Sequence, residues 1–298
     1  MLAKNARRYS RVLRGAAISA AVGGATLVAA SAASAAGPTG DYVDFAHCPY
    51  TNTDVTTCLY SQTTSGSFKL GNANVPINQT ILLQGGFRRV GTTANYQFYN
   101  AVGADTLQKV PLEVPGGLTG LVDRDAIRAI PLLGPIFDAA VNAVNGVTAT
   151  AELVGPVGFS FANFNLQSGT AISLPIRIHL ENPFLGSTCY IGSSSNPVTL
   201  NLTTGTTAPP APNTPITGTS GVTELLPGGI TKKSALSLVD NAFAAPGASD
   251  CGPWGFQWAV TPIVNLKEGL PAAAGKNTAI QTGNLKLAGA AAVRNSVQ

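Results

Sequence analysis

The chain has two histidines, His47 and His179, for base catalysis by an imidazole, the side chain whose ordinary pKa suits proton transfer near neutrality. His179 stands two residues from both Arg177 and Glu181, and a Ser-His-acid arrangement would take its nucleophile from Ser193, Ser194 or Ser195. Those serines lie in Gly192-Ser193-Ser194-Ser195-Asn196, which lacks the G-x-S-x-G turn that exposes a hydrolase nucleophile. An exposed strand residue is the favoured reading of His179, and His47, beside a cysteine, reads as structural. Glycoside hydrolysis needs two carboxyl groups across a cleft, and the close pairs are Asp41 with Asp44 and Asp123 with Asp125. The first lies near the expected mature terminus; the second suits a helix start, where the dipole favours negative charge. Asp123-Arg124-Asp125 runs into apolar residues instead of the further oxygen ligands calcium requires. Gly85-Gly86, Gly116-Gly117 and Gly228-Gly229 have no phosphate-loop context and read as turns. The best binding candidate is Trp254, Phe256 and Trp258. Spaced by two on an expected strand, they share one face and could stack on sugar rings, although the same geometry fills a sandwich core, which is the favoured reading.

The elements that would carry these residues alternate apolar and polar positions with a period of two, as half-buried strands do. Ile172, Leu174, Ile176, Ile178 and Leu180 oppose Ser173, Pro175, Arg177 and His179. The pattern recurs at 147–153, 198–203 and 254–260, and more weakly at 68–70, 236–238 and 285–287. Many short strands predict a mainly β fold, an antiparallel β-sandwich or barrel-like sheet. Pro175 cannot donate to a ladder, so its strand is expected at an edge or with a bulge. A short helical insert is expected around 121–145, with Asp123 as N-cap, Asn145-Gly146 as the stop, and Pro131 and Pro135 dividing it. Its second piece places Phe137, Val141 and Val144 on one face beside Ile136 and Ala140, to pack on the sheet or line an apolar pocket. The Pro- and Thr-rich stretch 203–221 reads as a surface loop within one domain at 36–298, with a two-part division as the alternative.

The setting follows from the N-terminus. Lys4, Arg7, Arg8, Arg11 and Arg14 precede an uncharged Ala-rich run ending in Ala33-Ser34-Ala35, the order of a secretory signal peptide over residues 1–35. Arg7-Arg8 invites a twin-arginine reading, but Tyr9-Ser10-Arg11 fits it poorly, and general secretion is favoured. Residues 1–35 hold five of the 18 Lys and Arg and none of the 14 Asp and Glu, so the remainder has a net charge of −1 against +4 for the whole chain. The basic balance belongs to the exported leader, which removes the case for nucleic acid or an anionic membrane as partner. No second apolar run has the roughly 18–20 residues of a membrane helix. In an oxidising compartment Cys48, Cys58, Cys189 and Cys251 favour disulfides, in three possible connectivities. We expect Cys48 with Cys58 and Cys189 with Cys251. Zinc is the rival, but no C-x2-C spacing occurs and the ligands are scattered. No cofactor is expected.

Cys48-Pro49, Thr56-Thr57-Cys58, the stretch Gly66 to Gly86, and Leu180-Glu181-Asn182-Pro183-Phe184-Leu185-Gly186-Ser187-Thr188-Cys189-Tyr190-Ile191-Gly192 resemble a group of exported actinobacterial proteins without assigned function. The resemblance implies an envelope or extracellular setting in a Gram-positive, high-GC bacterium, and no activity. The sequence thus predicts a secreted, non-catalytic binding or structural protein of the cell envelope. The alternatives are a module for carbohydrate, including cell-wall polysaccharide, or for lipid, and a secreted hydrolase using His179.

Overall fold

The computed structural model describes residues 37–91 and 95–298; the expected signal peptide lies outside the described residues. Four strands come first, β1 (Thr57–Leu70), β2 (Ala73–Ile77), β3 (Ile81–Val90) and β4 (Asn95–Asn100), followed by β5 (Pro111–Glu113). Three short helices follow, α1 (Gly117–Leu121), α2 (Arg124–Arg128) and α3 (Leu133–Ala143). Then come β6 (Thr148–Leu153), β7 (Gly158–Phe159), α4 (Phe161–Leu166), β8 (Ile172–Glu181), β9 (Tyr190–Ile191) and β10 (Val198–Leu202). The last third holds β11 (Val222–Leu226), β12 (Ile230–Asp240), β13 (Ala248–Ser249), α5 (Gln257–Glu268), β14 (Thr278–Gly289) and α6 (Ala290–Asn295).

The strands form two antiparallel sheets packed face to face, a β-sandwich. The first runs β11-β12-β14-β1-β3-β4 with β2 added to β1; the second runs β13-β9-β8-β6-β5 with β7 and β10 added to β8. The first and last strands meet in the first sheet, where β1 pairs along its length with β14. That ladder shifts register between Thr63 and Ser65, and the strands approach so closely there that a Cβ on Gly66 would lie 1.9 Å from the Ile280 carbonyl oxygen. Only glycine fits such a crossing, and Gly66 also holds φ = +139°.

The alternation in 172–180 is realised in full, since Ile172, Leu174, Ile176, Ile178 and Leu180 are all buried while the intervening residues are half-exposed. β8 nevertheless lies inside its sheet, not at an edge. Pro175 is tolerated because the β6 ladder ends at Leu153↔Ile176, where the Pro175 carbonyl accepts the Val154 N–H and its missing N–H removes no rung.

One further expectation needs correction. The strand expected over 254–260 is a turn followed by α5. Gly252 and Gly255 at φ = +122° and +84° break the extended path. The buried set Val260, Val264 and Glu268 then repeats every four residues, a helical spacing that overrides the three alternating aromatics. The helical insert expected around 121–145 is present as α2 and α3, preceded by α1 from Gly117. Asp123 does cap α2, its Oδ1 accepting the Ala126 N–H at 2.9 Å. On α3 the buried face is Leu133, Gly134 and Phe137, leaving Ile136 and Val144 exposed.

Candidate functional site

β8 supplies the site's floor. Its five inward side chains face Leu70, Val75, Ile77 and Leu83 of the first sheet across a cavity of ≈ 100 Å³. Sandwich cores ordinarily close to the density of organic crystals, so such a void needs a local cause. Ala149 and Ala151 provide it, standing on β6 at inward positions where larger side chains would meet the opposite sheet. The lining is aliphatic apart from Phe68 and five polar residues, Ser61, Thr63, Gln108, Gln281 and Glu268. Thr63 and Gln281 satisfy each other weakly, Oγ1 to Oε1 at 3.5 Å.

A second, more polar cleft of ≈ 310 Å³ adjoins the cavity, and Ala73, Val114, Leu121 and Glu268 line both. Asn72, Asn74, Pro115, Gly120 and Lys267 complete it. The cleft is built where the β1–β2 turn meets the end of α5. The Asn72 N–H donates to the Glu268 carbonyl at 2.9 Å, and Asn72 Nδ2 donates to the Lys267 carbonyl at 2.8 Å. Asn277 holds the turn from beneath: it is fully buried, its Oδ1 accepts the Gly71 N–H, and its Nδ2 donates to the carbonyls of Phe243, Ala272 and Ala273.

α5 is fixed at its start by a disulfide. Cys189–Cys251 joins the residue before β9 to the turn before the helix, with Cα atoms 4.2 Å apart. The Gly252 N–H donates to the Leu185 carbonyl, and the Cys251 N–H to Thr261 Oγ1. The helix thereby delivers Glu268, at its last position and on the buried face, to the boundary between cavity and cleft. Glu268 is 5 % exposed as a residue. Burial raises its pKa, and the neighbouring Lys267 charge partly opposes the shift.

The sequence-predicted residues fall elsewhere. Trp254 and Trp258 are 94 % and 74 % exposed, so neither fills the core; Phe256 alone of the three packs against it. Trp258 Nε1 donates to the Gly255 carbonyl, which fastens its ring to the turn. His179 lies on the face of β8 turned away from the cavity. Its ring stacks on Tyr190 at 4.4 Å, beside Arg177, whose guanidinium stands 4.2 Å over the same tyrosine. Arg177 in turn pairs with Glu152 at 2.7 Å. The Glu181 carboxylate is 3.7 Å from His179 Nδ1, and Nε2 is buried without a partner. The Ser193 and Ser195 hydroxyls bond each other, and Ser193 Oγ also accepts the Asn196 N–H.

His47 Nδ1 lies 3.0 Å from the Val102 carbonyl. Asp44 pairs with Lys286, Asp41 sits in the first turn of a short 3-10 helix at Gly40–Phe45, and Asp125 occupies the first turn of α2. The second disulfide, Cys48–Cys58, closes the loop before β1. Both bridges have the expected partners. Glu268 was absent from the sequence reading, and the apolar pocket offered there was placed on the insert at 121–145, of which Leu121 alone lines the cavity. Their signals were a carboxylate closing the four-residue repeat Val260-Val264-Glu268, and two alanines at inward positions of an otherwise bulky sandwich. The chain matches no protein-family model, no curated protein and no solved structure.

Proposed function

We propose that this is a secreted, non-catalytic binding module of the cell exterior that holds an aliphatic ligand between its two sheets. The observation that carries the reading is the cavity. A largely aliphatic cavity of this order has room for a small hydrocarbon group, and ligand pockets are typically apolar with a few polar groups at one end. The adjoining cleft gives a longer molecule room for its polar part. Two disulfides and the absence, among the described residues, of a helix long and apolar enough to cross a membrane are consistent with an extracellular location, and the leader at 1–35 supports export. The envelope of a Gram-positive, high-GC bacterium is the setting this reading favours.

The test is extraction of the protein, purified from its producer under non-denaturing conditions, followed by mass spectrometry of the organic phase. Co-purification of one class of aliphatic molecule in near-stoichiometric amount is expected; an empty extract, with no chain bound on later titration, contradicts the reading.

The exposure of Trp254 and Trp258 favours a second reading, recognition of cell-wall polysaccharide by stacking on these rings. Co-sedimentation with purified cell wall checks it: Trp254→Ala and Trp258→Ala should each leave folding intact and weaken pelleting several-fold, because neither ring is buried. Equal pelleting of both variants and the parent would remove the reading.

A further inference from the structure

We infer that α5 docks the protein on a lipid surface through an exposed apolar stripe of Trp254, Trp258, Pro262 and Leu266. Positions 258, 262 and 266 recur every four residues and so share one helix face, opposite the buried face of Val260 and Val264. Trp258 and Leu266 are 74 % and 85 % exposed, and Pro262 is exposed between them. Trp254 is 94 % exposed in the turn before the helix, and the bond from Trp258 Nε1 to the Gly255 carbonyl holds the second ring against that turn. The stripe itself is uncharged. Lys267 and Glu268 are the only charged residues of α5, and both line the cleft at its last turn; Asp250 is the nearest charge before the stripe in sequence. Contiguous exposed apolar side chains of this kind mark an interaction surface.

The occupant follows from the size and chemistry of the stripe. α5 has 12 residues, about 18 Å of helix. Two Trp rings of roughly 150–250 Å² each, with one Leu and one Pro, all covered from one side, fall short of the roughly 800 Å² per partner that a stable protein interface buries. A second copy of the chain is therefore disfavoured. Stacking on sugar would use the two rings and leave Pro262 and Leu266 in water. A bilayer needs neither matched shape nor hydrogen bonds from the stripe: Trp takes the interfacial level, where an amphipathic ring is favoured, and Leu and Pro reach the acyl boundary. Position adds a reason that rests on the cavity reading. The last turn of α5 lines the cleft, so docking on this helix keeps the cleft beside lipid, the medium in which apolar ligands dissolve. The docking itself stands on the stripe alone.

Trp254 and Trp258 are the only tryptophans of the protein, so its intrinsic fluorescence reads the stripe directly. Titration of the disulfide-intact protein with phosphatidylcholine vesicles should shift the emission to the blue with saturation, and brominated acyl chains should quench it. Added phosphatidylglycerol or high salt should change the affinity by less than about twofold, because the stripe is uncharged. Leu266→Ser keeps both reporters and alters an exposed position; it should weaken vesicle binding about fivefold. Emission that vesicles neither shift nor quench overturns the inference, as does vesicle affinity that Leu266→Ser leaves unchanged or binding that requires phosphatidylglycerol. A blue shift on raising the protein concentration without lipid would assign the stripe to a second copy, and one produced by cell-wall polysaccharide but not by vesicles would assign it to sugar; either overturns the lipid assignment. None of these results depends on whether the cavity binds an alcohol, so failure here leaves the cavity reading standing.

Discussion

At the residue scale the buried carboxyls give the clearest consequences. Burial raises the pKa of Glu268 and of Asp240, and in Asp240 the backbone N–H groups of Ala242 and Asn201 offset part of the shift. A carboxyl whose pKa is higher folded than unfolded binds more protons in the folded state. Its stabilising contribution is therefore full below the unfolded value and is lost as pH rises through the folded one. Asp138 works in the opposite sense, because its bond to Arg128 lowers its pKa, and its contribution is lost as pH falls. The difference between parent and Glu268→Gln isolates one group: thermal midpoints from pH 4 to 8 should show the variant gaining on the parent as pH rises, and a constant difference would refute the burial argument. Asn277→Ala should cost roughly 3 kcal/mol in chemical denaturation, since it strands buried carbonyls and the Gly71 N–H together; a loss within about 0.5 kcal/mol would mean that water takes their place. None of this was legible from residue type alone. The histidines and paired acids that sequence singled out were visible because their chemistry is generic, whereas Glu268 matters through where a helix ends.

At the element scale, strands with one wet face and the helical insert around 121–145 were readable, and α5 was not. β8 and β10 followed from alternation, and the Asp123 cap followed from a local rule that tertiary context left alone. α5 was misread because Trp254, Phe256 and Trp258 alternate across a turn and a helix start, where spacing by two carries no meaning. The long β1–β14 pairing was invisible, since its glycines hide the alternation and its partners lie at opposite ends of the chain. The disulfides pin these elements unequally. Cys189–Cys251 spans 62 residues and Cys48–Cys58 spans 10. Loop-closure entropy assigns them about 4 and about 3 kcal/mol. Denaturation of the Cys189→Ser/Cys251→Ser protein should therefore show the larger loss, and its apolar binding should weaken with it because α5 loses its anchor. An equal or smaller loss than in Cys48→Ser/Cys58→Ser would count against that anchoring role.

At the scale of the whole molecule, the sandwich was foreseeable and its void was not. Alternation says which face is buried but not how completely two buried faces fill the space between them; that depends on which positions oppose each other, a property of register and strand order. Ala149 and Ala151 read in sequence as ordinary inward strand residues, and only the opposing sheet turns them into the wall of a cavity. The central claim is that this space is a ligand site and not a packing defect. The most direct measurement is calorimetric titration of butan-1-ol, short enough for a cavity of ≈ 100 Å³, into the disulfide-intact protein and into Ala151→Leu, with thermal midpoints taken in parallel. The account predicts saturable one-to-one binding with a negative heat-capacity change in the parent. In Ala151→Leu it predicts the loss of that binding together with a gain of about 1 kcal/mol in stability from filling the void. Equal binding by both proteins, or none by the parent, would contradict it.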